Sequence, residues 1–290
     1  MRKTTLLGMM TLPLLALAPR LAAQVETDVP PPFPGAKPVT VERIQIHGTA
    51  PEGNLEGNAV DRDVIGFLPP GYASETSRRY PVVYALHGYS IVVLPDSKTL
   101  HNGSMYSSSV ATGDFESFVA RDVVSYLDAH YRTLEGRASR GLVGHSMGGY
   151  GASRIGMRHA DMFGGLYVMS ATAAAWSPNP KNPPLYLDLP TKDGVPQPDV
   201  LAKWAANAPL AFVDQYVASL RRYRAIAIDV GDQDGTRVDA GKLHDALDRY
   251  GIAHGFEIYP GNHTNKVADR FQNHGMRFFS QKLCFQADCR

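Results

Sequence analysis

The sequence predicts an α/β fold: a mostly parallel central sheet with helices on both faces and a Pro-rich cap segment. Three observations predict it. Short apolar runs alternate with stretches of helical periodicity, which is the pattern of repeated βα units. Two runs, Pro81–Leu86 and Gly141–Val143, are continuously apolar and so suit strands covered on both faces. The second run leads straight into Gly144-His145-Ser146-Met147-Gly148, where a strand must turn sharply into a helix.

The elements follow in order. Val39–His47 alternates apolar and polar side chains, as a half-buried strand does. Gly48–Asn58 is a turn rich in Gly, Pro and Asn. Val60–Leu68 is a second strand, ended by Pro69-Pro70-Gly71. After the Pro81–Leu86 strand, Phe115–Tyr131 carries Phe115, Phe118, Val119, Val123, Tyr126 and Leu127 near helical spacing, with Asp114 as N-cap. The strand at Gly141–Val143 is followed by a helix to about His159 and a strand at Gly165–Ser170.

Residues 171–209 differ from the rest. Pro178, Pro180, Pro183, Pro184, Pro190, Pro196, Pro198 and Pro209 fall here, and that density argues against long regular elements. The segment is expected to be a cap or loop over the sheet. Asp214–Arg222 reads as helical, Ala225–Val230 as a strand and Gly231–Gly235 as a turn. Val238–Tyr250 reads as an amphipathic helix, Phe256–Tyr259 as a strand and Asn265–Leu283 as the closing helix, with Val267, Phe271, Phe278, Phe279 and Leu283 toward the core.

The N-terminus is organised for export. Arg2 and Lys3 give a positive start, Leu6–Ala18 is an apolar stretch interrupted by Pro13, and Leu21-Ala22-Ala23 precedes Gln24. This is the layout of a signal peptide over residues 1–23. The apolar run is too short to span a bilayer comfortably. Residues 24–38 are expected to be an extended leader, Pro-rich from Val29 to Pro34, and 39–290 a single domain. The expected location is secreted or periplasmic, with no stable membrane anchoring. Cys284 and Cys289 are the only cysteines, and an oxidising compartment would let them pair across a small loop. They read as structural, since a metal site needs more ligands.

Charge narrows the partners. Lys and Arg number 29 against 28 Asp and Glu, so nothing electrostatic points to nucleic acid or an anionic surface. The sequence carries no signal for or against oligomerisation. No phosphate-cradling Gly-rich loop and no His-Glu-x-x-His occurs, so neither a cofactor nor a metal is expected.

The chemistry starts at Ser146. Gly-x-Ser-x-Gly places a serine at the apex of a strained turn, and its flanking glycines avoid clashes with the packed strand and helix. A hydroxyl is a poor nucleophile and needs an adjacent base. His244, His254, His263 and His274 lie beyond the Ala225–Val230 strand. Only His263 sits on a loop just past a strand's C-terminal end, where ligand crevices of such sheets open. His263 is therefore the expected general base and acid. Asp229 is still inside its strand, whereas Asp234 lies further along the turn. Asp234 is the chosen acid and Asp232 the runner-up; its task is to fix the imidazole tautomer. Backbone N–H groups of Met147 and Tyr89 are the expected oxyanion donors. His145 packs or hydrogen-bonds within the elbow. Tyr106, Trp176 and Trp204, with Tyr89, could line a substrate pocket. Arg121, Arg154 and Arg158 read as solvated helix faces.

Pro81-Val82-Val83-Tyr84-Ala85-Leu86-His87-Gly88, Phe115-Glu116-Ser117-Phe118, Tyr131-Arg132-Thr133 and Gly144-His145-Ser146-Met147-Gly148-Gly149 together resemble the putative-esterase family of α/β-hydrolases. That family includes feruloyl esterases, S-formylglutathione hydrolases, enterobactin esterases and mycolyltransferases. The resemblance spans Val39 to Leu283. It implies the α/β-hydrolase fold and supports Ser146, Asp234 and His263 as a triad, since Gly231-x-x-Asp234 and Gly261-x-His263 stand where the family carries its acid and base. Together with the export signal it implies an external ester as substrate, such as a feruloyl or other polysaccharide-linked ester. An acyltransferase with the same triad is the alternative, and a non-enzymatic binding protein on this fold is a third.

Overall fold

A computed structural model describes residues 27–86, 95–99, 103–173, 191–192, 195–196, 198–286 and 289. Residues 1–23, read above as a signal peptide, lie outside them. Five parallel strands form the central sheet: Val82–Leu86, Arg140–His145, Gly165–Met169, Ala225–Gly231 and Gly255–Tyr259. Each strand lies beside its sequence neighbour, so the spatial order across the sheet is the chain order. Thr40–His47 and Asp61–Leu68 pair with each other as a separate antiparallel ribbon.

The three inner strands are continuously apolar or nearly so because both faces are covered. Alternate residues point to opposite faces. Leu142, Leu166, Val168, Ile226 and Ile228 enter the larger core, with Phe118, Ile155 and Phe163. Val143, Tyr167 and Met169 enter the smaller core under Phe279 and Leu283 of the closing helix. Burying an aromatic such as Phe279 on this face stabilises by about 1.5–3 kcal/mol.

The helix spanning 115–130 starts as its sequence predicts: the Asp114 carboxylate accepts the Ser117 N–H at 2.9 Å. It contains a π-helical turn at Phe118–Val123. The closing helix, 267–282, has a second such turn at Arg270–Gly275. No helix among the described residues is long and apolar enough to cross a membrane.

Two readings need correction. Arg154 is not a solvated residue: its side chain is 2% exposed, and Nε donates to Glu116 at 2.7 Å. Arg158, half-exposed, donates to the other Glu116 oxygen at 2.7 Å, and His159 contacts that oxygen at 3.1 Å. Burial pushes the Glu116 pKa up, but His159 and the two guanidiniums outweigh it and hold it below the ordinary value. Arg154 also donates to the carbonyl of Asn207 at 2.9 Å, which ties the Pro-rich segment to the body. Arg121 is exposed as expected. The second correction concerns that segment, which does hold a regular element. Pro198–Asn207 is a ten-residue helix, because Pro198 occupies its first position, where a missing N–H costs nothing.

The leader is moored near the sheet's last loop. Asp28 N–H donates to Asn265 O at 2.8 Å, and Lys266 Nζ reaches the Asp28 carboxylate at 2.7 Å. Cys284 and Cys289 form a disulfide just past the closing helix.

Candidate active site

Ser146 is the single residue between the strand Arg140–His145 and the helix Met147–Arg158. Its φ of 58° and ψ of −118° are strained for a side chain with a Cβ, at a cost of about 1–3 kcal/mol. Packing on both sides holds it there: Ser146 N–H donates to Met169 O at 3.0 Å, and Ser146 O accepts Tyr150 N–H at 2.9 Å. Gly144 is needed because a Cβ there would lie 2.0 Å from Gly148 O, where the helix folds back on the strand. Met147 opens the helix, so its N–H has no carbonyl one turn earlier to bind.

The next two loops meet each other. At Gly231 a Cβ would lie 2.3 Å from Gly261 O, so the turns after Ala225–Gly231 and Gly255–Tyr259 are in backbone contact. Asp232 secures this contact by accepting Gly261 N–H at 3.0 Å. Asp234 is the aspartate that faces the imidazole: His263 Nδ1 lies 3.0 Å from both of its carboxylate oxygens. The runner-up Asp232 is thus a turn residue. Asp229, 1% exposed, instead accepts Arg270 Nε at 2.8 Å and Tyr167 OH at 2.8 Å.

On its other side, His263 Nε2 lies 2.8 Å from Ser146 Oγ. With the carboxylate holding a proton on Nδ1, Nε2 presents a lone pair and the serine hydroxyl donates to it. The Asp234 side chain is fully buried, while His263 is 37% exposed. Burial alone would raise the Asp234 pKa. Hydrogen bonds from His263, the Thr236 N–H and Ser170 outweigh it and hold the carboxyl down to about 2.

His145 braces the array from behind. Its Nε2 lies 2.7 Å from the carbonyl oxygen of His263, and the two rings stand 4.9 Å apart. Burial, with the neighbouring His263, lowers the His145 pKa to about 4, so the ring is a neutral donor to that carbonyl.

Sequence reasoning did not find Thr236 or Ser170. Thr236 donates to Asp234 Oδ1 from N at 2.8 Å and from Oγ1 at 2.9 Å. The Asp234-Gly235-Thr236 spacing, typical of an aspartate capping its own turn, was the available signal. Ser170 offered none. It reaches the site because its strand lies beside Ala225–Gly231, and its hydroxyl lies 3.3 Å from Tyr259 OH. Of the pocket residues, Tyr106 is fully buried and packs against Gly151, so the structure places it in the core, not on an open wall. Tyr89 and Trp176 lie outside the described residues. Trp204 falls in the helix Pro198–Asn207, and its side chain lies outside them too.

The family model described as Putative esterase matches residues 106–274, a span that contains Ser146, Asp234 and His263. The chain belongs to this esterase family. The esterase Rv1288 of Mycobacterium tuberculosis is 26% identical over 243 residues, covering 68% of this chain and 51% of that protein. The chain therefore spans about half the length of the curated relatives it matches. Among solved structures, a ferulic acid esterase superposes with a TM-score of 0.60 at 24% identity, covering 79% of this chain and 92% of that one. FphF, a fluorophosphonate-binding serine hydrolase of Staphylococcus aureus, gives a TM-score of 0.64 at 19% identity, covering 85% and 99%. These likenesses establish the α/β-hydrolase architecture.

Proposed function

We propose that this member of the esterase family is a secreted serine carboxylic ester hydrolase working through an acyl-enzyme. The observation that carries the proposal is the unbroken chain Ser146 Oγ, His263 Nε2, His263 Nδ1, Asp234, with contacts of 2.8 and 3.0 Å. Ser146 Oγ attacks the ester carbonyl carbon as His263 Nε2 takes its proton. The imidazolium that forms is stabilised by Asp234, which stays ionised. The carbonyl oxygen, now an oxyanion, is received by the Met147 N–H and, on the sequence reading, the Tyr89 N–H. Collapse breaks the ester C–O bond, and His263 returns the proton to the departing alcohol. Water then gives its proton to His263 and attacks the acyl carbon. The acid leaves, and Ser146 regains its proton.

The substrate class follows from two supports. The export-type N-terminus favours an external ester, and the architecture is shared with a ferulic acid esterase. We propose polysaccharide-linked esters, feruloyl esters among them. Purified protein should hydrolyse short p-nitrophenyl esters, and Ser146→Ala should reduce kcat by about 10⁴-fold or more. Full activity in Ser146→Ala ends the assignment. Methyl ferulate, acetylated xylan and simple acyl esters assayed side by side rank the substrates. Preferential transfer to an added alcohol over water would identify an acyltransferase instead.

A further inference from the structure

We infer that His244, His254 and Asp248 form a binding site for a divalent transition-metal ion. His244 and Asp248 sit one turn apart near the end of the helix Arg237–Arg249, and His254 lies on the loop entering Gly255–Tyr259. Nδ1 of His244 and Nε2 of His254 face each other at 2.8 Å. One donor atom from each of the three residues lies within 4.8 Å of the others.

The arrangement is built in the manner of a ligand set. The His254 side chain is 2% exposed, and its Nδ1 donates to Ile252 O at 2.8 Å. That outer bond fixes the tautomer and leaves the Nε2 lone pair for an ion, as outer-shell carbonyls do at metal sites. His244 is stacked on Phe256 with ring centroids 4.3 Å apart, which restricts its plane. Asp248, the exposed member, has its carboxylate 3.6 Å from His244 Nε2 and 3.9 Å from His254 Nδ1, so its side chain must turn to reach an ion held between the two facing nitrogens.

Two basic nitrogens this close must share either a proton or a cation. Adjacent ligands at right angles on an ion, each about 2.0 Å away, stand about 2.8 Å apart. The observed separation therefore suits cis positions on a tetragonal or octahedral ion, and a modest opening admits a tetrahedral one. Two imidazoles with one carboxylate suit Zn²⁺ or Cu²⁺ rather than Mg²⁺ or Ca²⁺. On binding, the proton between the nitrogens moves from His244 Nδ1 to its Nε2, which stands 3.6 Å from Asp248, so both imidazoles stay neutral. Water completes the coordination. Asp234 precedes the opposite end of this 13-residue helix, whose first residue lies about 10–17 Å along the axis from His244 and Asp248, so the ion would clamp the helix to the edge strand and take no part in the ester chemistry.

The test is calorimetric titration of tag-free, oxidised protein with ZnCl₂, CuCl₂ and MgCl₂, alongside thermal melts. Wild type should take up one equivalent of Zn²⁺ or Cu²⁺ and melt at higher temperature, with no response to MgCl₂. His244→Ala should weaken affinity at least tenfold and Asp248→Asn several-fold. Both residues are exposed enough that the variants should fold, which an unchanged metal-free melt would verify. Equal affinity in wild type and His244→Ala overturns the proposal. So does uptake that is lost in His263→Ala but kept in His244→Ala, since the ion would then sit at the hydrolytic site.

Discussion

Two buried carboxylates divide the molecule. Glu116 and Asp234 are both nearly or fully buried, and in both the pKa is held down by hydrogen-bonding partners. Their partners differ. Glu116 meets His159 and also two guanidiniums, which stay charged at any accessible pH, and the guanidiniums lock the 115–130 helix to Met147–Arg158 whatever the imidazole does. Asp234 meets an imidazole and two hydroxyl-bearing residues, so the one cation beside it can come and go. A permanent counter-ion makes a rivet. A titratable one makes a carboxylate that can stabilise a charge appearing only during reaction.

Exchanging charge for isostere should separate the two roles. Asp234→Asn should lower kcat by about 10⁴-fold while leaving the melting temperature close to wild type, because the amide favours the wrong imidazole tautomer. A loss below tenfold would mean the carboxylate is structural like Glu116. Glu116→Gln should do the reverse. It leaves Arg154 buried without a counter-charge, so denaturant unfolding should show a loss of about 3–5 kcal/mol, with near-normal activity in the molecules that remain folded. A smaller effect is expected at His145. His145→Ala removes the donor to His263 O and should cut kcat about tenfold with little change in KM, and His145→Gln should recover part of it.

The smallest effect is a shift in acid stability. The His145 pKa is depressed from 6.5 to about 4, so the unfolded chain binds a proton there that the folded chain refuses. Stability therefore falls as pH drops from about 6.5 toward 4 and is unaffected by this group above that range. Melts of wild type and His145→Gln across this window should converge as the pH falls. Parallel curves would mean that His145 is charged in the fold.

Much of this was legible beforehand, for local reasons. The strand runs, the elbow at Ser146 and the loop position of His263 are written in short stretches of chain. Asp234 and Asp232 were harder to separate, because the choice depends on Gly231 and Gly261 touching across two loops. Arg154 reads as surface on its own helix. Its partners, Glu116 38 residues before it and the Asn207 carbonyl 53 residues after it, make burial tolerable. Tyr106 looks like a pocket aromatic until Gly151 is seen to leave room for it in the core. The helix at Pro198–Asn207 was hidden by counting prolines instead of asking where in a helix each would stand.

The sheet is laid down in the order in which the chain is made, and this has a consequence for biogenesis. A polypeptide still emerging from the ribosome can finish the elbow early, but the residue that would arm it arrives with the final strand. Until that edge docks, the nascent protein holds a harmless alcohol. On the proposed function, the cell making it would thereby be shielded from premature cleavage of its own esters.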